Sequence, residues 1–119
     1  MTTNPTPVRG EVWRIRFDPS EGDEIKKIRT AVVISENSVG RLRLKIVVPI
    51  TEWKPRYGSY PWFVRLIPSP SNGLSKESGA DAFQVKSISE TRFIDRLGQL
   101  TQAELDSIAN AIAICVGAP

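Results

Sequence analysis

Only one stretch of this chain, Thr101 to Gly117, repeats its apolar residues at helical spacing, and the sequence before it is cut into strand-length pieces. In that stretch Leu105, Ile108, Ala109, Ile112, Cys115 and Val116 form one apolar stripe. Thr101-Gln102-Ala103-Glu104 has the spacing of a capping box, and Leu100 and Leu105 are placed as a hydrophobic staple. Gly117 supplies the stop.

The remaining pieces read as strands and turns. Val8 to Phe17 sets apolar Val12, Ile15 and Phe17 against charged Glu11, Arg14 and Arg16, with Trp13 breaking the alternation, as in a half-buried strand. Thr30 to Ser35 is a short apolar run, Glu36 to Gly40 a hairpin-like connection, and Arg41 to Ile50 the returning strand. Thr51 to Tyr60 reads as a loop, Pro61 to Ile67 as a strand, and 68–73 as a Pro/Ser/Gly break. Leu74 to Gly79 is polar and weakly patterned, an edge hairpin or loop, and Ala82 to Ile88 returns to strand. Ser87 to Glu90 has a capping-box spacing that predicts one helical turn through Arg92, with a last short strand from Arg92 to Leu100. Five to seven short strands and one terminal helix predict a mainly β (α+β) fold, a small β-barrel with the helix packed on it.

Composition narrows the chemistry. The 119 residues suit one domain, and 40% apolar content is ordinary for a globular protein. No apolar run approaches the roughly 18–20 residues needed to span a bilayer. Met1 to Val8 is Thr/Pro-rich without an apolar core, so it reads as a flexible extension rather than a signal peptide, and the cytoplasm is the default location. The single Cys115 has no Cys or His companion and reads as a core thiol. The chain has no histidine, which excludes His-based triads, His acid–base pairs and nearly all zinc catalysis. Catalysis must then use Arg, Lys, Glu, Asp, Ser, Thr or Tyr. A net charge of +3 allows a polyanionic partner without requiring one.

The stretch from Gly22 to Thr51 carries the candidate chemistry. Its charged loop places Glu24 and Arg29 at the mouth of one strand, and the run Val47-Val48-Pro49-Ile50-Thr51 places a hydroxyl at the end of the next. If those strands are neighbours, three groups suited to phosphate chemistry converge. On the residues alone, Arg29 reads rather as a surface ion pair with Glu24 or Asp23, and Thr51 as an ordinary strand or turn residue.

An ordered set of pieces decides between these readings: Arg9-Gly10-Glu11-Val12-Trp13, Phe17-Asp18-Pro19, Gly22-Asp23-Glu24, Arg29 before Ala31-Val32-Val33-Ile34-Ser35, Val48-Pro49-Ile50-Thr51, Tyr60-Pro61, and Ala82 to Ile88. Together they resemble the MazF/PemK toxins of bacterial type II toxin–antitoxin systems over Arg9 to about Val116, so residues 9–119 are expected to form one such domain after the 1–8 extension. The resemblance implies an SH3-like β-barrel with a C-terminal α-helix, and a homodimer. It also implies a sequence-selective endoribonuclease that cuts single-stranded RNA (mRNA) with no metal or other cofactor, inhibited by an antitoxin with an acidic, partly disordered segment. Two departures stand out: Thr30 replaces the Pro common after the catalytic Arg, and the loop from Glu52 to Ser59 has its own composition.

RNA carries its own nucleophile, the 2′-OH, so the protein must take its proton, stabilise charge on the phosphorus and assist the leaving oxygen. The resemblance gives these roles to Arg29, as a fixed fork of donors to phosphate, Thr51, as a hydroxyl donor, and Glu24, as a candidate base. The expected ends are a 2′,3′-cyclic phosphate and a 5′-OH. Lys26, Lys27, Lys54, Arg56 and Lys86 are candidate phosphate contacts, Trp53 and Tyr57 candidate base-stacking surfaces, and Gln84 a base or backbone contact. Trp13 and Trp62 read as core or dimer-interface aromatics. Two other classes share such a fold: gyrase-directed CcdB-like poisons and non-catalytic SH3-like adaptors. The CcdB-like ending Trp-Gly-Ile is replaced here by Val116-Gly117-Ala118-Pro119.

Overall fold

The structure, a computed structural model, describes residues 6–17, 28–39 and 43–119. Among the described residues seven strands follow in order: β1 (Glu11–Arg16), β2 (Ile28–Val33), β3 (Leu44–Glu52), β4 (Phe63–Leu66), β5 (Ser78–Asp81), β6 (Lys86–Ser89) and β7 (Phe93–Gln99). One helix, α1 (Gln102–Cys115), closes the chain. All strand pairs are antiparallel, in the order β4-β5-β3-β2-β1-β7, with β6 also paired to β3.

Strand β3 organises the sheet because it is long enough to hold two partners on one side. Its first half, Leu44 to Val47, pairs with β6, and its last three residues, Ile50 to Glu52, pair with β5. Val48 and Pro49 lie between the two ladders. A proline has no N–H to donate, so a gap in the pairing suits Pro49.

Both faces of this sheet are covered. Val12, Val32, Val48, Ile50, Leu66 and Ala80 bury one face together with Leu100, Leu105 and Ile108. Trp13, Ile15, Ala31, Val33, Val47 and Ile88 bury the other, with Phe17 and Phe93 packed against them. Trp13 therefore does not break a half-buried pattern. It belongs to a second core, edge-on to Phe93 with ring centroids 5.6 Å apart.

The sheet is open rather than a closed barrel, because among the described residues no ladder joins its ends β4 and β7. The 68–73 segment spans that gap instead. Its two prolines cannot donate to a ladder, and buried Asn72 holds it as a turn, accepting from Ser69 N and Leu74 N and donating to Ile67 O. The turn meets β7 through one bond from Gln99 N to Ser71 O, 2.9 Å.

Other differences have local causes. The stretch expected as one strand from Ala82 to Ile88 is a 3-10 turn (Ala82–Gln84) followed by β6, since Asp81 accepts from Phe83 N and bends the chain. The strand before that turn, Ser78-Gly79-Ala80-Asp81, is fully buried but has small residues that give no apolar signal. The expected 51–60 loop begins as the end of β3 and contains a 3-10 turn, Pro55–Ser59. The turn through Arg92 is present, capped by Ser89 rather than Ser87, which lies inside β6. In α1 the capping box forms in both directions. The buried face is Leu105, Ile108 and Ala111, with Ile112 half-buried, while Val116 lies past the helix end and is exposed. Helix α1 packs across β4 and the 82–84 turn, so it braces the turn that follows Asp81.

Candidate functional site

The second face of the sheet carries the site. The β2–β3 ladder ends with Thr30 opposite Ile50, and Arg29 and Thr51 are the next residues along the two strands. Alternation puts both side chains on the face of Ala31 and Val47, away from the helix. Beside them, the split in β3 leaves a cavity of about 360 Å³ lined by Phe17, Arg29, Pro49, Ile50, Thr51, Tyr57, Phe63, Asp81, Gln84 and Lys86. Lys86 is held at the rim with its ammonium 5.2 Å from the Phe17 ring centre.

Five of the candidate residues thus meet in one cleft: Arg29, Thr51, Tyr57, Gln84 and Lys86. Glu24, Lys26 and Lys27 lie outside the described residues. Trp53, Lys54 and Arg56 stand outside the cleft lining. Lys54 is 3.5 Å from Glu52, which also meets Lys76 at 3.3 Å. These ammonium groups, Lys76 first, hold the Glu52 carboxyl below its ordinary pKa. Arg56 lies over the Tyr57 ring at 5.1 Å.

An aromatic wall extends from the cleft. Tyr57 packs on Phe63 at 3.9 Å and meets Trp53 edge-on at 5.8 Å. Tyr60 stacks on Trp62 at 4.9 Å with planes 6° apart, and Trp62 approaches Phe83, which is 68% exposed. Trp53 covers Gly79, where a Cβ would stand 3.0 Å from its ring, so the strand under the wall must carry glycine or shift the indole. Arg65, paired with Gly79 across the β4–β5 ladder, lies 5.5 Å from the Trp53 centroid. Trp62 is therefore half-exposed wall, unlike the buried Trp13.

Sequence reasoning missed Asp81, Phe17, Phe63, Tyr60 and Phe83. For Asp81 a signal existed: a carboxylate three residues before Gln84, at the end of a run of small residues. Its Oδ1 accepts from Phe83 N at 3.2 Å and its Oδ2 from Gln84 Nε2 at 2.8 Å. With both oxygens loaded, Asp81 is a positioning group rather than a free base. As a whole the cleft offers a permanent cation and a hydroxyl on adjacent strands, an ammonium at the rim, an oriented amide and flat apolar surface. That set fits a phosphodiester flanked by unpaired bases.

Known proteins give the same direction. A family model described as the PemK-like, MazF-like toxin of type II toxin-antitoxin systems matches residues 8–116. Endoribonuclease MazF9 of Mycobacterium tuberculosis is 30% identical over 112 residues, covering 89% of this chain and 92% of that protein. Among solved structures, an endoribonuclease from a Mycobacterial species superposes with a TM-score of 0.73 at 22% identity, covering 97% of this chain and 95% of that one. A Mycobacterial endoribonuclease in complex with its cognate antitoxin gives 0.72 at 24% identity, with 95% and 97% covered. A MazE–MazF crystal structure from Deinococcus radiodurans gives 0.73 at 24%, with 96% and 98% covered. At these identities the structures speak for the fold.

Proposed function

The chain belongs to the PemK-like, MazF-like toxin family of type II toxin–antitoxin systems, and from that premise we propose that it is a toxin that acts as an endoribonuclease on single-stranded RNA. The observation that carries this is that Arg29, Thr51 and Lys86 line one cleft beside an aromatic wall. In the proposed reaction the 2′-OH attacks the adjacent phosphorus, forming the new P–O bond as the bond to the 5′-oxygen breaks. Arg29 donates to the non-bridging oxygens, where negative charge grows, and Thr51 holds the same phosphate. Glu24 takes the 2′ proton, and the departing 5′-oxygen takes a proton from water to become the 5′-OH end. Lys86, with Lys26, Lys27, Lys54 and Arg56, tracks the neighbouring phosphates, while Trp53 and Tyr57 stack bases. No metal is required by this route.

The proposed partner is an antitoxin with an acidic segment that occupies the RNA groove, since both ligands answer the same positive charge. The proposed assembly is a homodimer, for which sedimentation should give twice the 13.2 kDa chain mass. A clean monomer that still cuts RNA would remove it. Among the described residues no helix is long and apolar enough to cross a membrane, and the proposed site of action is the cytoplasm.

The test is incubation with a long unstructured RNA in excess chelator, titrated with an acidic antitoxin peptide. The RNA should be cut, and the peptide should raise the apparent KM without lowering the limiting rate. Purely noncompetitive inhibition would point to a remote antitoxin site. Absence of cutting would favour a non-catalytic toxin or adaptor.

A further inference from the structure

Phe83 is the one exposed aromatic ring among the described residues, 68% exposed where every other ring is buried or half-buried. A phenylalanine exposed alone would need no explanation, but this one ends a wall of rings that begins in the cleft. From Phe63 in the cleft lining, the wall runs through Tyr60 and Trp62 to Phe83 with centroid steps of 6.0, 4.9 and 6.2 Å. Its far end is fixed before any ligand arrives. Ala82 N donates to Trp62 O at 3.0 Å, Phe83 N donates to Asp81 Oδ1 at 3.2 Å, and α1 packs behind the turn. A ring held in this way loses little freedom when it is covered. The charge beside the wall decides what covers it. Glu52 is matched by Lys54 and Lys76, and Glu77 by Arg65, whereas Arg56 and Lys86 have no carboxylate partner among the described residues. Rings flanked by surplus cations suit a strand that carries both flat bases and phosphates.

We propose that Phe83, backed by Trp62, is a stacking subsite for one base of the RNA, beyond the nucleotides that flank the scissile phosphate. This rests on the ribonuclease function proposed above and extends its substrate to a segment running from Arg29 and Thr51 along the wall. Phe83 stands outside the cleft lining, so it touches no reacting atom. Stacking uses the flat face that all four bases share, and the subsite therefore adds affinity without choosing a base.

The test is the affinity of the wild type, Phe83→Ala and Phe83→Leu for an RNA oligonucleotide centred on the wild type's preferred cut. A 2′-deoxyribose at the cut makes it uncleavable, and a second set of oligonucleotides replaces each base in turn with an abasic residue. Both variants should bind the intact RNA about tenfold more weakly, the scale of one stacked base. Phe83→Leu keeps most of the apolar bulk, so its loss reads the flat ring and not the turn. One abasic residue away from the cut should weaken the wild type by the same factor and leave Phe83→Ala no weaker than on intact RNA. Wild-type affinity in either variant, or a loss that no abasic position removes, overturns the subsite while leaving the ribonuclease standing. Wild-type affinity in Phe83→Ala together with sedimentation at the 13.2 kDa chain mass would assign the wall to a second copy of the chain instead. A wild type that neither binds nor cuts RNA overturns the ribonuclease function and the subsite with it.

Discussion

Arg29→Ala should lose about 10²-fold or more in the RNA cleavage rate while keeping its fold, the scale seen when one donor to a developing oxyanion is removed. Among the described residues, Arg29 is the only cleft-lining side chain able to give two parallel hydrogen bonds from a charge that persists at any working pH. Lys86, the other cation of the lining, is a point charge. For that reason Arg29→Lys should also be poor, although the net charge is unchanged. The side chain is exposed at the start of β2, outside both buried clusters, so its loss removes no core packing. Single-turnover cleavage alongside a circular dichroism melt checks this. A folded Arg29→Ala protein cutting at the wild-type rate would remove Arg29 from the chemistry.

The largest stability effect is expected far from the cleft, at Gly73. Its φ is +71°, and an added Cβ would stand 2.2 Å from the carbonyl oxygen of Leu97 and 2.6 Å from its carbon. Both atoms are backbone of β7, so no side chain can rotate away. Gly73→Ala should cost roughly 3–5 kcal/mol, the sum of a left-handed backbone penalty and a steric displacement. The same turn joins the open ends of the sheet, so the displacement would separate β4 from β7. Gly117 is the internal comparison, with φ +68° and nothing within 4 Å of the added atom. Gly117→Ala should cost only about 1 kcal/mol, the backbone component alone. Urea unfolding of the two variants separates strain from clash, and equal midpoints would mean that the β4–β7 closure carries no load.

How much of this was legible before the structure depends on which residues speak in apolar patterns. The strand-length apolar runs of β1 to β3 and the Thr101–Glu104 capping box were readable because burial there uses Val, Ile and Trp in short, clearly bounded stretches. Strand β5 was not, since Ser78, Gly79, Ala80 and Asp81 are buried without being strongly apolar. Gly79 is needed under Trp53 and Asp81 is needed to hold Gln84. The double pairing of β3 was also hidden, because a nine-residue strand does not announce two partners on one edge. Pro49 alone hinted at the gap. That Arg29 and Thr51 line one cleft followed once β2 and β3 were taken as neighbours, whereas nothing in the sequence told that Lys54 would stand outside that lining beside Glu52. Trp62, expected in the core or at a dimer interface, lies outside both buried clusters and half-exposed in the aromatic wall, so the core part of that reading fails.

The most direct test of the central claim is the chemistry of the RNA ends left by the wild-type protein in excess chelator. In-line attack by the 2′-OH, with Arg29 on the non-bridging oxygens and no metal-bound water, leaves a 2′,3′-cyclic phosphate on one fragment and a 5′-OH on the other. Mass spectrometry of the fragments should find those two ends. Fragments carrying a 3′-OH and a 5′-phosphate, or cutting that stops when the chelator is added, would contradict the account.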